Sequence, residues 1–190
     1  MKVIRGIFKN RYLSVPKGIR AVSLRVKKSL FDLIKEEVVE AKVLDLFSGS
    51  GSLGIEALSL GAKEAVLVDI KKSSIDTIYK NLAALKVSAK ATPILKDAFK
   101  AIKDFYAQEE KFDVIFLDPP YYKGFSTKSL QTLDEYDILA SSGLVVVTCY
   151  YKDSVEKEFK RFSKILSKKY GQTLLLIYRK NEESSLSRNI

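Results

Sequence analysis

An α/β architecture, a parallel Rossmann-like sheet covered by helices on both faces, follows from three features of this 190-residue chain. Strand-like runs that are apolar nearly throughout recur at 43–47, 65–70, 93–95, 112–117, 144–149 and 173–178. Stretches with helical spacing separate them at 52–60, 73–85, 99–108, 126–140 and 152–166. Strands buried on both faces lose the in–out alternation of a half-exposed sheet, and intervening helices are the crossovers that parallel strands need. The third feature is a glycine-rich turn, Gly49-Ser50-Gly51 followed by Ser52-Leu53-Gly54, directly after the first run. Such sheets bind ligands beyond the carboxyl ends of their strands, so the loops after these runs are where chemistry is sought.

Ahead of the sheet, residues 2–15 alternate loosely, with Gly6 and Asn10 as turn signals, and predict two short strands or a hairpin. Pro16 and Gly18 break the chain. Val22, Val26, Leu30, Phe31, Leu33 and Ile34 then predict an amphipathic helix over 22–40. The expected organisation is a basic arm at 1–20, one sheet domain at 21–182 and a polar tail at 183–190 with no assigned role.

Composition removes several chemistries. Histidine is absent, which excludes Ser-His-Asp and Cys-His nucleophile systems and any His-bearing zinc site, so no metal is expected. No apolar run approaches the length of a membrane span, and Arg5, Lys9 and Arg11 precede no apolar block of the kind a secretory signal has. The single Cys149 excludes an internal disulfide and fits a reducing, cytoplasmic setting. A monomer is expected.

The net charge of +10 is unevenly placed. Residues 1–28 hold nine basic groups and no acid, whereas the rest carries 24 basic and 23 acidic residues. A basic arm on a neutral body suits a phosphate backbone, because each neutralised phosphate releases condensed counterions. Arg5, Lys9, Arg11, Lys17, Arg20 and Arg25 are the candidate RNA-binding residues. The plainer alternative is solvated terminal charge.

The strand-end loops supply the candidate ligand residues. Gly49, Gly51 and Gly54 satisfy the G-x-G-x-x-G spacing, which also serves dinucleotide enzymes and ordinary strand–helix turns. Asp45 stands four residues before Gly49 inside an apolar strand, where an unpaired carboxylate is costly. It either accepts from a cationic or amino-bearing ligand or anchors the turn through backbone N–H groups, and both roles are compatible. Asp69 ends the second strand 18 residues after Gly51, where an acid either reaches the ribose hydroxyls of an adenosyl cofactor or is a solvated strand terminus. Asp97 either caps the following helix or accepts from an adenine amine, or does both.

Asp118-Pro119-Pro120-Tyr121 after the fourth strand is the sharpest motif. Consecutive prolines fix the backbone and remove two N–H donors, leaving carbonyls free to face a ligand. Asp118 adds carboxylate acceptors and Tyr121 a face on which a flat base stacks. Those parts suit methylation of an exocyclic amine, whose lone pair is delocalised into its ring until acceptors draw on its N–H bonds. A rigid turn with an incidental acid and aromatic is the alternative.

With these loops in place, the chain resembles the bacterial 16S ribosomal RNA (guanine-N2)-methyltransferase family over about residues 1–150. The resemblance rests on Ile4-Arg5-Gly6 through Lys9-Asn10-Arg11, Val15-Pro16, Arg25-Val26-Lys27 through Leu30-Phe31, Leu44-Asp45-Leu46-Phe47-Ser48-Gly49-Ser50-Gly51, Glu56-Ala57-Leu58 and Phe116-Leu117-Asp118-Pro119-Pro120-Tyr121. It implies a seven-stranded S-adenosylmethionine-dependent methyltransferase sheet whose last strand, at 172–180, lies antiparallel beside 144–149. It also implies cofactor contacts at Asp45, Phe47, Gly49, Ser50, Gly51, Asp69, Ile70, Asp97 and Ala98, and amine contacts at Asp118, Pro119, Pro120 and Tyr121. The implied partner is small-subunit ribosomal RNA or an assembling small subunit. Two departures bear on substrate more than on cofactor. Arg20-Ala21-Val22-Ser23-Leu24 stands where the family has Arg-Pro-Thr-Thr-Asp, and Thr148-Cys149-Tyr150 lacks the family's glutamate.

Three other readings share parts of this pattern. DNA adenine-N6 or other base amino-methylation uses the same Asp-Pro-Pro-Tyr chemistry, but such enzymes ordinarily need a target-recognition domain, for which this chain has no length to spare. Glutamine-N5 methylation of a protein sits poorly with the basic arm. A non-catalytic RNA-binding protein retaining the fold sits poorly with an intact Asp118–Tyr121 turn.

Overall fold

A computed structural model describes residues 1–19, 22–122, 124–153, 155 and 158–182. Strands β1 (Lys42–Asp45), β2 (Glu64–Asp69), β3 (Ala91–Leu95), β4 (Phe112–Leu117), β5 (Leu139–Tyr150), β6 (Phe162–Tyr170) and β7 (Thr173–Lys180) form one seven-stranded sheet in the order β3-β2-β1-β4-β5-β7-β6. The first five are mutually parallel, and β7 runs antiparallel between β5 and β6. The strand order reverses between β1 and β4, which opens a crevice at their carboxyl ends. The expected seven-stranded sheet with an antiparallel strand beside 144–149 is the one observed.

Alternate residues of each strand feed two cores, as a period of two requires. Val43, Val114, Phe116, Val146 and Ile177 face helices α1 (Leu24–Leu33), α3 (Ser52–Ser59) and α4 (Lys72–Leu85). Their neighbours Leu44, Ile115, Leu117, Val147 and Tyr178 face α5 (Ala98–Ala107) and α6 (Phe125–Glu135). Every residue of α3 is buried. Gly54 is needed there, because a Cβ would fall 2.2 Å from Leu67 Cδ2 on β2.

Three helix expectations need correction. The helix predicted over 22–40 is two, α1 and a short α2 (Lys35–Val38), because buried Ile34 turns the chain at φ −115°, ψ 21°. The bend keeps both Phe31 and Val38 in the core. The helix predicted over 126–140 stops at Glu135, and Leu139 already pairs with Phe112 as the start of β5. The helix predicted over 152–166 is contradicted where it can be followed, since β6 begins at Phe162. Phe159, Phe162 and Leu166 have helical spacing, but Gly171 at φ +59° permits a two-residue turn that pairs Tyr170 with Thr173. The hairpin's ladder to β7 then overrides the local pattern.

The predicted N-terminal hairpin is one antiparallel bridge, Lys2 to Tyr12, extended by Val3 N–H to Arg11 O at 2.9 Å and Asn10 N–H to Val3 O at 2.9 Å. Val3 and Leu13 are buried in the α3-side core, so this segment packs on the domain. Gly6, at φ +72°, passes against the end of α3, where a Cβ would meet Ser59 O. The Ile7 N–H takes that carbonyl at 2.8 Å. The predicted tail at 183–190 and Arg20 lie outside the described residues. No helix among the described residues is long and apolar enough to cross a membrane.

Candidate active site

The crevice at the strand ends is a cleft of about 650 Å³. Asp45, Phe47, Gly49, Ser50, Asp69, Ile70, Asp97, Ala98, Asp118, Pro119, Pro120 and Tyr121 all line it. Parallel register brings them together, pairing Asp45 with Leu67 and Phe116 and Asp69 with Leu95, so the following loops leave from one edge. Gly51 is set back from the cleft at the start of α3, with φ +78° and its α-carbon facing Ile55 and Ile78.

The glycine turn is built by carboxylates and hydroxyls. Asp69 Oδ2 accepts from Gly49 N–H at 2.8 Å and its Oδ1 from Lys71 N–H at 2.8 Å, which ties the turn to the end of β2. A carboxylate has about four acceptor positions, so two such bonds leave capacity toward the cleft. Ser48 Oγ donates to Asp45 O at 2.6 Å. Asp97 caps α5, accepting from Phe99 N–H at 3.0 Å and Lys100 N–H at 3.1 Å. The capping role is therefore present, and the residue lines the cleft as well.

Asp45 is the unusual member. It is 1% exposed; Oδ2 accepts a long 3.3 Å bond from Gly54 N–H, and Oδ1 has no hydrogen-bond partner among the described residues. Burial pushes its carboxyl up to about 8, the Gly54 amide opposes this, and the negative charges of Asp118 and Asp69 add to it. The Phe47 amide opposes it too, without forming a hydrogen bond to the orphaned oxygen. Such a group is unfavourable until a cation meets it.

Asp118 leaves β4 beside β5, where Thr148 Oγ1 donates to its Oδ1. Thr148 stands in the segment where the resembled family carries glutamate, and its hydroxyl gives Asp118 a donor there. Tyr121 OH donates to Thr173 Oγ1 at 2.8 Å, which fixes the ring at the cleft mouth. Sequence reasoning noted Thr148 only as a departure from the resembled family and missed its contact with Asp118, which a lone threonine in a buried strand does not signal.

It also missed most of an aromatic wall, in which Phe47 was expected and Phe99 and Phe125 were not. Phe47, Phe99 and Phe125 line the cleft with ring centroids 5.8–6.4 Å apart, and Phe47 lies nearly parallel to Phe125 at 14°. Phe99 follows Asp97 by two residues and Phe125 follows Gly124, so each sits where a strand-end loop turns into its helix. That position was the available signal.

The arm is fastened to this site by buried polar groups. Lys27 and Glu56 form an ion pair of 2.8 Å with both side chains fully buried. Lys27 Nζ also donates to Lys2 O at 2.8 Å, and Glu56 accepts from Ile4 N–H at 2.9 Å and Arg5 N–H at 2.6 Å. Burial lowers the Lys27 pKa, opposed by the Glu56 charge. Asn81 on α4 accepts from Ser14 N–H and donates to Ser14 O and Ser50 O, joining arm to glycine turn. Ser23, inside the divergent segment, still caps α1 by accepting from Val26 N–H at 3.2 Å.

Of the candidate RNA-binding residues, Arg5, Lys9, Arg11, Lys17 and Arg25 lie outside the cleft, and Arg20 is outside the described residues. Lys9, Arg11, Lys17 and Arg25 are exposed, Arg5 pairs with Asp32, Arg11 donates to Ala84 O, and Arg25 leans on the Tyr170 ring. Among the described residues the cleft is lined by four carboxylates, from Asp45, Asp69, Asp97 and Asp118, and by the basic side chain of Lys71.

Known proteins resemble the chain over most of its length. The chain is 30% identical over 186 residues to ribosomal RNA small subunit methyltransferase D of Escherichia coli, covering 96% of this chain and 91% of that protein. The protein of the same name from Haemophilus influenzae is 33% identical over 152 residues, 77% of each chain. The solved structure of the E. coli protein yhhF superposes with a TM-score of 0.82 at 30% identity, covering 96% of this chain and 99% of that one. The family model described as Conserved hypothetical protein 95 matches residues 1–179, and the chain belongs to that family.

Proposed function

We propose that this chain transfers a methyl group from S-adenosylmethionine to the exocyclic N2 amine of a guanine in small-subunit ribosomal RNA. The observation that carries the reading is the cleft's charge. An orphaned, buried carboxylate oxygen on Asp45 fits a ligand ammonium, and four facing carboxylates suit a cationic ligand. Asp69, Asp97 and Asp118 would repel the pyrophosphate of a dinucleotide, the alternative that glycine spacing leaves open. Relatives that bear the name ribosomal RNA small subunit methyltransferase D support RNA as the acceptor.

The residues present fit the cofactor. Asp45 and the Gly49 turn would hold its amino-acid end, Asp69 its ribose, and the Phe47, Phe99 and Phe125 rings its adenine. Bound, S-adenosylmethionine supplies an electrophilic methyl on a sulfonium. The chain does the rest by position. Asp118 accepts from one amine N–H and the Leu117–Pro119 carbonyls offer further acceptors, which draws the nitrogen toward a tetrahedral geometry with its lone pair aimed inward. Tyr121 stacks the base and Thr148 orients Asp118. Positioning of this kind is worth up to about 7–11 kcal/mol of barrier.

The test is to incubate the chain with methyl-labelled S-adenosylmethionine and, separately, unmodified small-subunit particles, naked ribosomal RNA and duplex DNA. Label recovered as N2-methylguanine in RNA is the expected result, and Asp118→Ala abolishes it while cofactor affinity stays within a few-fold. Label only in DNA, or full turnover by Asp118→Ala, overturns the reading.

A further inference from the structure

Ring-on-ring contacts continue outward from Tyr121. Its centroid lies 6.0 Å from those of both Tyr122 and Tyr150, Tyr122 lies 4.7 Å from Tyr150, and Tyr150 lies 4.8 Å from Tyr151. Two lysines lean on the far end, Lys169 Nζ 3.8 Å from the Tyr151 centroid and Lys152 Nζ 5.7 Å from it. The row joins three segments: the turn after β4, the end of β5, and the β6–β7 turn, whose Gln172 O accepts from Tyr151 N–H at 3.0 Å. Tyr122 is 71% exposed and has φ +62°. A bulky residue in that region is strained, and an exposed ring gains little from packing in return.

We infer that Tyr122 and Tyr150 stack an unpaired base adjacent in the strand to the methylated one, and that Lys152 and Lys169 take its phosphates. A base in a duplex has no open face, so the platform selects single-stranded or splayed RNA. Cation–π contact keeps both ammonium groups beside Tyr151 until a phosphate competes for them. Holding the neighbour keeps the strand open while the target base occupies the cleft at Tyr121. The inference rests on the proposed RNA substrate and extends it by one nucleotide.

The probes are an oligouridylate of about twelve nucleotides and an abasic ribose-phosphate strand of the same length, with binding followed by fluorescence anisotropy over a salt series. Tyr122→Gly accommodates the left-handed backbone, so the melting temperature is retained. It lowers oligouridylate affinity by about 5- to 150-fold, leaves the abasic strand and the salt slope unchanged, and Tyr122→Phe restores binding. Lys152→Gln with Lys169→Gln flattens the salt slope on both strands. Parental oligouridylate affinity in Tyr122→Gly, or an equal loss on the abasic strand, overturns the platform. The two readings fail separately. A chain that binds oligouridylate through Tyr122 yet methylates no RNA sinks only the enzymatic reading, and RNA methylation at parental KM by Tyr122→Gly sinks only the platform.

Discussion

Replacing Asp45 by asparagine separates what the cleft costs from what it does. The carboxylate is 1% exposed, and burial holds it at about 8 against an ordinary 3.8. Between those values the folded chain keeps a proton that the unfolded chain releases, so stability is full at acid pH and is lost as pH rises through the folded value. At about 1.4 kcal/mol per pH unit, the gap corresponds to a loss on the order of 5 kcal/mol by about pH 8. That is a large share of the roughly 5–15 kcal/mol that holds a domain together. Asp45→Asn removes the ionisation and can still offer a carbonyl to Gly54 N–H. It puts an amide N–H where Oδ1 has no partner among the described residues, at a cost of about 1–3 kcal/mol.

The variant is therefore more stable than the parent by about 2–4 kcal/mol near pH 8, and no more stable near pH 4. Its affinity for S-adenosylmethionine falls by about 10- to 100-fold, because the ligand ammonium loses its counter-charge. Urea midpoints from about pH 4 to about pH 8.5, with calorimetric titration of the cofactor, measure both effects. Parallel pH profiles for parent and variant would refute the stability reasoning, and parental cofactor affinity would refute the role of the orphaned oxygen.

Lys27→Met leaves Glu56 charged in an apolar setting and lowers stability by about 3–5 kcal/mol, read from the urea midpoint, with faster hydrogen exchange at the Ile4 and Arg5 amides. Thr148→Val keeps the shape of a buried side chain but removes the hydroxyl from Asp118, so kcat falls by about 5- to 10-fold with cofactor affinity unchanged. Neutralising Arg5, Lys9 and Arg11 together weakens RNA binding and flattens its salt dependence by about one unit of slope per lost phosphate contact. An unchanged slope would make the arm bystander charge.

Much of the fold and most of the cleft were legible in the chain because they depend on local pattern. Six of the seven strands announce themselves as apolar runs; Asp45 stands inside the first, and Asp69, Asp97 and Asp118 stand at or just past the ends of three others. Once the sheet is parallel, its register brings those acids to one edge, so reading strand ends amounts to reading the site. The resemblance carried the antiparallel position of 172–180, which no periodicity reveals.

Tertiary structure decided the remainder, for reasons that lie in partners distant along the chain. The stretch at 162–166 spaces its apolar residues like a helix, yet becomes strand β6 because β7 offers it a ladder of hydrogen bonds across the Gly171 turn. Lys27 on α1 and Glu56 on α3 lie 29 residues apart, and only packing shows them buried together as the clamp on the arm. Thr148 against Asp118 and the row from Tyr121 to Tyr151 each join segments about thirty residues apart, a distance at which sequence spacing encodes no contact. The sequence determined which loops carry the chemistry, because strand pattern and turn chemistry are local. Which side chains support those loops was settled by long-range packing alone.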